Sequence, residues 1–313
     1  MLVFRHKKVP FVSVVIPTHN RKKKLIRLIE SIFRSNYPAE KIEVIVIDDC
    51  STDGTYEAIK SLFPNVKIIR NEDELFVSGS RNKGLEYARG DYIFLVDDDN
   101  ILDRLCIYEL VNVMENNTNI GILAPISLYL EDVDRVCNAG EVRNMWISAN
   151  RVLYKDTLYN ADKLPDIIEC MCVGNAFMVR RKILHLVKFN ENYFPFQHED
   201  IDFCFKVRSL GYSIVCCTSA KVWHDVPVEW DNFLEKTNML NEYKSYLVGR
   251  NRVLLQRMYS RYYELLVFVS IFLPLICMYH IFGILTSSNI SLRKRLSFVR
   301  EYLVGAVDGL VIR

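Results

Sequence analysis

The sequence predicts an α/β fold with a Rossmann-like, mostly parallel central sheet flanked by helices and followed by a C-terminal helical segment. Three observations indicate this class. Short apolar runs alternate with segments of helical spacing along the N-terminal third of the chain. Carboxylates follow two of these runs at the point where each strand would end. A long apolar stretch near the C-terminus stands apart from this alternation.

The alternation can be followed element by element. We expect buried strands at residues 11–16, 44–47, 66–69 and 92–96. We expect helices at residues 25–33, 56–62 and 82–88. Strands joined through helices imply right-handed crossovers, so ligands should gather at the carboxyl ends of the strands. The aspartates at those ends are Asp48, Asp49, Asp97, Asp98 and Asp99.

The second half of this region is less regular. Residues 120–172 mix short apolar runs with polar residues, which favours antiparallel strands and loops around a second substrate pocket. A strand is expected at 174–180 and a helix beginning near Asp200. Residues 212–216 and 220–224 are interpreted as paired strands.

Residues 94–100 combine an apolar strand with three consecutive carboxylates. Strand side chains alternate between faces, so Asp97 and Asp99 should point one way and Asp98 the other. Such a D-x-D pair suits a hard divalent ion that keeps open positions for phosphate oxygens. The alternative is a solvated acidic turn after an edge strand.

Charge and cysteine content narrow the functional class. Lys and Arg total 40 against 38 Asp and Glu, a formal net charge of +2, which argues against a protein that mainly coats nucleic acid. The nine cysteines are scattered without a C-x-x-C pair, as expected for reduced cytosolic thiols rather than disulfides or a zinc site. The first residues lack the apolar run of a signal peptide, so we expect the catalytic part in the cytosol.

Residues 265–285 form the longest apolar stretch, with Pro274 near its middle. Its length matches the hydrocarbon core of a bilayer. A buried helix hairpin is the alternative, because proline would kink a single helix. Positive charge on both flanks favours a re-entrant or interfacial element with both ends cytosolic. The flanking basic residues are Arg250, Arg252, Arg257 and Arg261 before the stretch and Arg293, Lys294, Arg295 and Arg300 after it.

The sequence contains neither G-x-x-x-x-G-K-[ST] nor G-x-G-x-x-G. Phosphate would then have to be held by a metal ion and by side chains. Arg81 and Lys83 lie just upstream of the D-x-D strand and could assist, although basic residues at a helix start are often only solvated.

The motifs in their order resemble a family 2 glycosyltransferase of the GT-A fold over roughly residues 11–225. The segments at 14–21 and 46–55 resemble the family's two nucleotide loops, and 80–84 resembles its Arg-Asn-x-Gly turn. Residues 95–99 resemble its metal-binding D-x-D strand. Three later segments, 174–181, 198–202 and 222–224, resemble the acceptor-side strand, the Glu-Asp-x-Asp catalytic segment and the late histidine.

This resemblance implies roles for particular residues. In the second nucleotide loop an aspartate reads the base, preferably Asp49 and otherwise Asp48. The residues expected to bind the nucleotide sugar are Pro17, Thr18, Asn20, Arg21, Asp48, Asp49, Arg81, Asn82, Asp97 and Asp98.

The resemblance also implies a Mg²⁺ or Mn²⁺ cofactor that stabilises the leaving diphosphate. Asp99 is the expected metal ligand. Asp97 is expected at the ribose, at a metal-bound water or at the metal itself. His224 is expected as a further ligand by the family pattern, and the alternative for it is a core histidine.

On the acceptor side, the resemblance implies that Asp200 takes the proton from the acceptor hydroxyl, so that direct displacement inverts the anomeric carbon. Gly174, Asn175 and Glu199 are expected near the acceptor. Glu199 and Asp202 could instead be helix N-terminal charges. One departure concerns residues 196–198, Phe-Gln-His, where members of the family often carry Trp-Gly or a similar small pair, so the acceptor stays open.

These inferences predict an inverting, metal-dependent glycosyltransferase. It would move a sugar from a nucleotide-diphosphate donor to a lipid-linked or cell-surface glycan, at the cytoplasmic face of the cell membrane and without nucleic acid. We expect a catalytic domain at 1–235, with a nucleotide-sugar half at about 1–100 and an acceptor half at about 101–235, then a helical region at 236–313.

Two alternative functions fit the sequence less well. A sugar-phosphate nucleotidyltransferase would need a Gly-rich basic loop after the first strand, which residues 17–21 do not provide. An inactive membrane-bound carbohydrate-binding protein would have no chemical reason to keep Asp97, Asp99, Asp200 and His224.

Overall fold

The structure is a computed structural model that describes residues 9–174, 176–192 and 195–311. The strands are β1 Val12–Thr18, β2 Ile42–Asp48, β3 Lys67–Arg70, β4 Tyr92–Leu95, β5 Asn100–Leu102, β6 Ile120–Tyr129, β7 Val136–Asn138, β8 Glu141–Asn144, β9 Ala149–Val152, β10 Ile167–Cys170, β11 Phe177–Arg180 and β12 Ser213–His224. The α-helices are α1 Lys22–Phe33, α2 Thr55–Leu62, α3 Phe76–Tyr87, α4 Cys106–Asn116, α5 Arg181–Leu184, α6 Glu199–Ser209, α7 Phe233–Lys236, α8 Glu242–Tyr259, α9 Tyr262–Val267, α10 Leu273–Thr286 and α11 Leu292–Val311. A 3₁₀ turn at Ala39–Lys41 and a π-helical segment at Phe268–Phe272 complete the elements.

The central sheet has the order β10-β12-β6-β11-β4-β1-β2-β3, with β5 and β7 paired at its side. Strands β4, β1, β2 and β3 are mutually parallel, as their helical crossovers require. Beyond them β11 runs antiparallel to both β4 and β6, and β10 runs antiparallel to β12. The α/β fold is confirmed, but the sheet is mixed, because the strands of the second half are not all linked by crossover helices.

The hydrophobic core lies on both faces of the sheet. All seven residues of β1 are buried. Val14 and Ile16 pack into the cluster on one face, and Val15 packs into the cluster on the other. Helix α1 covers the first face with the apolar stripe predicted from its spacing. The first strand is therefore an inner strand, and its carboxyl end opens onto the site.

Two sequence expectations are corrected in the second half. Residues 212–216 and 220–224 are not paired with each other but belong to one strand, β12, whose pairing with β6 shifts between Cys217 and Lys221. Thr218 donates to Pro165 O at 2.9 Å, so the polar break between the two apolar runs is a bulge instead of a turn. The helix expected at 82–88 begins earlier, at Phe76.

The C-terminal helices form a layer against the catalytic part. Helix α8 packs along α11 through glycines, and a Cβ added at Gly249 or Gly305 would lie 2.2 Å from Tyr302 O or 2.1 Å from Tyr246 O. Small residues at these positions let the two backbones touch. The two helices therefore form one unit.

The apolar stretch is a single helical run at Tyr262–Thr286, made of α9, the π-helical segment and α10. Among the described residues, this run is the one helix whose length and composition would allow it to cross a membrane. It does not fold back as a hairpin, because the π-helical turn before Pro274 accommodates the proline within one run. Much of its apolar surface is exposed, including Met278 at 57% and Phe282 at 70%.

Candidate active site

The site is assembled from the ends of four strands and the start of one helix. Thr18 ends β1 and Asp48 ends β2, while the three aspartates follow β4. His224 ends β12, and Asp200 lies in the first turn of α6. Parallel strands bring their carboxyl ends to one edge of the sheet, which is why residues far apart in sequence meet there.

The carboxylates of Asp98 and Asp99 both contact the guanidinium group of Arg21. Arg21 Nη1 lies 3.0 Å from Asp98 Oδ1 and 2.9 Å from Asp99 Oδ2. Thr18 Oγ1 donates to Asp98 Oδ2 at 2.7 Å. Burial raises the pKa of Asp98 to about 6, against the opposing effect of Arg21.

The alternation expected for the three aspartates is wrong. Strand β4 ends at Leu95, and Asp98 and Asp99 lie in a turn, so the two-residue period no longer applies. Asp98 and Asp99 contact the same guanidinium group, whereas Asp97 contacts Arg81. The three carboxylates therefore divide into two groups.

Asp99 also lies beside His224, with Asp99 Oδ1 and His224 Nε2 3.3 Å apart. Burial opposes ionisation of Asp99, but the hydrogen bond and charge of His224 and the charge of Arg21 lower its pKa to about 2. Burial tends to lower the pKa of His224, but Asp99 and then Cys137 outweigh burial and raise that pKa to about 10. Asp99 is thus an ionised carboxylate paired with a protonated His224 imidazolium, which would release its proton on binding a metal ion.

This pair fits a divalent ion. Mg²⁺ and Mn²⁺ accept carboxylate oxygen, Mn²⁺ also accepts imidazole nitrogen, and Mg²⁺ is commonly held by one or two protein carboxylates plus substrate phosphates and water. Adjacent ligands of an octahedral ion with bonds of about 2.1 Å lie about 3 Å apart, close to the separation of Asp99 and His224. Within the described ranges no group of three or more His, Cys, Asp or Glu side chains surrounds one point. Asp97 points to Arg81 instead, so its part in metal binding stays a prediction.

Arg81 links the D-x-D turn to the predicted base. Its side chain is 1% exposed, and its Nη2 lies 2.8 Å from Asp97 Oδ1 while its Nη1 lies 2.5 Å from Asp200 Oδ1. Glu199 Oε1 lies 3.8 Å from the same Nη1. Burial works against the charge of Arg81, but these carboxylates outweigh it and raise its pKa. Burial raises the pKa of both Asp200 and Glu199, and Arg81 opposes the rise.

The two aspartates of the second nucleotide loop form hydrogen bonds with neighbouring protein groups. Asp49 Oδ1 accepts from Asn71 Nδ2 at 2.6 Å and from Leu75 N at 2.8 Å. Asp48 is fully buried and accepts from Ser51 N at 3.2 Å. Base recognition by either aspartate stays a prediction, because both are engaged by protein groups here.

The first nucleotide loop contacts the second directly. Asn20 Oδ1 accepts from Thr52 N at 2.7 Å, and Asn20 N donates to Ser51 Oγ at 2.9 Å. Asn20 has a left-handed backbone with φ of 54°, and Pro17 lies within β1 just before this turn. Together these contacts hold the loop that carries Arg21 against the edge of the sheet.

Other predicted residues lie farther from the D-x-D turn. Asn82 Nδ2 donates to Glu191 Oε1 at 2.6 Å and to Phe189 O at 3.0 Å, so it braces that segment. A Cβ added at Gly174 would meet open space. Asn175 lies outside the described residues.

The acidic residues of α6 differ in their surroundings. Glu199 is 8% exposed, and its Oε2 has no hydrogen-bond partner among the described residues. Asp202 is fully buried and accepts from Tyr259 Oη at 2.6 Å, with Lys206 Nζ 2.6 Å from its other oxygen. Asp202 therefore ties α6 to α8, in line with its interpretation as a helix charge.

Sequence reasoning missed the contribution of α8. Asn251 is fully buried, and its Nδ2 donates to Phe196 O at 2.8 Å and to Gln197 O at 3.0 Å. Gln197 and His198 both have left-handed backbones, with φ of 62° and 66°. Asn251 thus holds a strained turn directly before Asp200. The sequence shows only that Asn251 is a polar residue, and the structure shows that it lies in a largely buried helix.

Comparison with known proteins agrees with this architecture. The family model described as glycosyl transferase family 2 matches residues 13–187. An uncharacterized glycosyltransferase of Haemophilus influenzae is 31% identical over 209 residues, 64% of this chain and 61% of that protein. A probable glycosyltransferase of Bacillus subtilis, YdaM, is 24% identical over 232 residues, 72% of this chain and 53% of that protein. The chain therefore spans less than two thirds of either relative.

A solved structure shows the same fold. The mannosyltransferase from Pyrobaculum calidifontis, in complex with GDP-Man and Mn²⁺, superposes with a TM-score of 0.57 at 15% identity, covering 97% of this chain and 88% of that one. At this identity the likeness concerns the fold, which is GT-A. The family match covers residues 13–187, more than half of the chain. The chain therefore belongs to glycosyl transferase family 2.

Proposed function

We propose that this glycosyltransferase is inverting and metal-dependent, and that it transfers a sugar from a nucleotide-diphosphate donor to a lipid-linked or cell-surface glycan at the cytoplasmic face of the membrane. The observation that carries the proposal is the position of Arg81. Its buried guanidinium group contacts Asp97 in the D-x-D turn and Asp200 at the start of α6. One cation thus joins the donor side to the carboxylate that would act as base.

Asp200 accepts the proton of the acceptor hydroxyl in this proposal. Arg81 fixes the direction of its carboxylate by the contact at 2.5 Å. Burial raises the pKa of Asp200, which makes the carboxylate a stronger proton acceptor than an exposed one. A base that activates the acceptor for direct attack gives inversion at the anomeric carbon.

Asp99 and His224 hold the donor end. When a Mg²⁺ or Mn²⁺ ion is bound, it neutralises charge that develops on the leaving diphosphate. Asp99 is ionised and lies 3.3 Å from His224, which would give up its proton to bind the ion. Arg21 adds positive charge at the same turn through Asp98 and Asp99. The donor complex of the mannosyltransferase with GDP-Man and Mn²⁺ supports this arrangement by analogy of fold.

The helical run at Tyr262–Thr286 supplies the membrane contact in the proposal. Its apolar side chains Leu266, Met278 and Phe282 are each more than half exposed. Burying this surface in lipid would remove a large apolar area from water at about 25 cal/mol per Å². An acceptor anchored in the same membrane would then reach Asp200 by diffusing within the plane of the membrane.

The proposal is tested with a panel of nucleotide sugars, each incubated with the detergent-purified protein with Mn²⁺, with Mg²⁺ or with EDTA. We expect slow hydrolysis or transfer of one donor, lost in EDTA and restored by metal. Product anomeric configuration, read by proton NMR, should be opposite to that of the donor. Full activity in EDTA would contradict the metal, and retained configuration would contradict direct displacement.

A further inference from the structure

The hairpin β8–β9 and helix α8 bring together two arginines, Arg143 and Arg252. Arg143 is buried, and its two terminal nitrogens donate to Asn150 Oδ1 at 2.8 Å and to Ser148 Oγ at 2.6 Å. Arg252 Nη1 donates to Ser148 O at 2.9 Å. Both guanidinium groups therefore meet at one residue of the hairpin loop.

The charge of Glu141 acts on Arg143 from beyond ion-pair distance, and neither arginine has an ion-pair partner in the described part of the chain. The Nε atoms of both are enclosed and make no hydrogen bond, and neither residue forms a salt bridge there. The neighbouring carboxylate of Glu141 accepts from Asn138 and Asn150 instead. Burial lowers the pKa of both arginines, and the charge of Arg252 lowers that of Arg143 further. Like charges held away from water are stabilised by an anion between them.

The arginine pair adjoins the catalytic turn. Arg252 directly follows Asn251, whose side chain binds the backbone of the turn before Asp200. Burial and the charges of Arg143 and Arg252 lower the pKa of His198 in that turn. The pair therefore lies beside the turn that precedes Asp200.

The same hairpin loop reaches the apolar helix. Trp146 and Tyr263 are packed with ring centroids 5.5 Å apart, and they are 43% and 45% exposed. Tyr263 lies in α9, at the start of the apolar run. Exposed Trp and Tyr side chains are typical of the boundary between water and lipid. A ligand with an anionic head and an apolar tail can therefore contact both features at once.

We propose that Arg143 and Arg252 bind the phosphate or pyrophosphate group of an amphiphilic acceptor whose apolar tail lies along the helical run at Tyr262–Thr286. The inference rests on the proposed function and narrows its acceptor to a phosphate-bearing lipid. The anion supplies the missing counter-charge between the two guanidinium groups, through charge-assisted hydrogen bonds from their nitrogens. The acceptor headgroup is thereby held beside the turn that carries Asp200.

The test measures binding of dodecyl phosphate and of inorganic phosphate to the full chain by calorimetry, with EDTA present. We expect dodecyl phosphate to bind at least tenfold more tightly than inorganic phosphate. Arg143→Gln and Arg252→Gln should each weaken dodecyl phosphate binding by about 10-fold to 100-fold, the effect typical of a lost charged hydrogen bond. Arg151→Gln is the matched control, because Arg151 is exposed on the same hairpin. Equal affinity for the two anions, or unchanged binding in both variants, would overturn the proposal.

Two further measurements separate this site from others. Asp99→Ala should bind dodecyl phosphate normally, and a loss there would move the anion to the donor site and overturn the proposal. Without anion, Arg252→Gln should melt within about 5 °C of the wild type, because the relief of a repelling charge offsets the lost hydrogen bond to Ser148 O. If the variant melts at least 5 °C lower than the wild type, Arg252 has a structural role and the proposal is overturned. Because binding is measured without turnover, an Asp200→Asn variant that stays active would refute the proposed base and leave this site standing.

Discussion

At the scale of single residues, the three adjacent aspartates have identical side chains but different contacts and different pKa values. Asp97 contacts the buried Arg81, while Asp98 and Asp99 contact Arg21. Only Asp99 also faces His224. Their chemistry differs accordingly, since burial raises the pKa of Asp98 to about 6, whereas His224 and Arg21 overcome burial and lower that of Asp99 to about 2. Substitution of each should therefore have a different effect.

Asp99→Ala should reduce transfer on the order of 100-fold or more, because charge stabilisation of the leaving diphosphate is lost. The fold should survive, since Asp99 lies in a turn at the edge of the sheet and outside the core clusters. The measurement is the initial rate of transfer at several Mn²⁺ concentrations. Asp162→Ala removes an exposed carboxylate elsewhere and serves as the control. A wild-type rate for Asp99→Ala in EDTA would refute the assignment.

Asp200→Asn should separate binding from turnover. The amide retains the shape of the side chain and removes its basicity, so nucleotide affinity by calorimetry should persist while transfer collapses. Equal loss of both would point to a structural role instead of a base.

The pH dependence of the wild type follows from the same carboxylate. A base works only when deprotonated, so kcat/KM should fall as pH drops through the pKa of Asp200. Burial raises that pKa, so the acid limb should lie above the ordinary aspartate value of about 3.9. The pH–rate profile measures this directly. An acid limb below pH 4 would exclude a buried Asp200 as the base.

At the scale of elements, helix α8 is the support of the catalytic turn. Asn251 binds the turn before Asp200, Arg252 and Gln256 bind the loop of the β8–β9 hairpin, and Tyr259 binds Asp202. Glycine-mediated packing fastens α8 to α11, and α10 packs on α11 in turn. The C-terminal helices are thus connected to the reaction centre through rigid contacts.

Asn251→Ala should slow transfer by about tenfold or more with little change in donor affinity, because the misplaced turn affects orientation of Asp200. It leaves two backbone carbonyls unpaired, so the free energy of unfolding should fall by about 1–3 kcal/mol for each buried one. Steady-state kinetics and thermal melting measure the two effects. Asn116→Ala, at an exposed site of α4, is the control. An unchanged kcat in a folded Asn251→Ala variant would show that the turn at residues 196–198 keeps its conformation without the Asn251 side chain.

At the scale of the whole molecule, the C-terminal helices carry both exposed apolar side chains and basic residues. The helical run at Tyr262–Thr286 supplies the first, and α11 contributes Leu292, Leu296 and Val307, each more than half exposed. Arg293, Lys294 and Arg300 lie in the same helix. A surface of this kind suits an anionic membrane interface.

The full chain should float with phosphatidylcholine vesicles that contain phosphatidylglycerol, and it should stay bound in 1 M salt. The arginines near the surface add roughly 1 kcal/mol each, which salt screens, whereas the apolar contribution persists. A Met278→Asp, Phe282→Asp double variant should lose salt-resistant flotation. Leu186→Asp, at a site 70% exposed elsewhere, should retain it. A wild-type chain that stays soluble and monomeric without detergent would contradict membrane attachment.

Sequence alone determined the alternation of strands and helices and the concentration of carboxylates at strand ends, because apolar periodicity and chain direction are local properties. The same holds for the apolar helix, whose length and composition sufficed. The motifs between residues 13 and 187 identified the family. The tertiary structure decided how the aspartates divide between Arg21 and Arg81, because β4 ends at Leu95 and a turn replaces the expected alternation. It also decided the mixed direction of the sheet, the support of the Asp200 turn by Asn251, and the meeting of Arg143 with Arg252. These contacts join residues that are tens of residues apart, so they depend on how packed elements meet, and no local pattern encodes that.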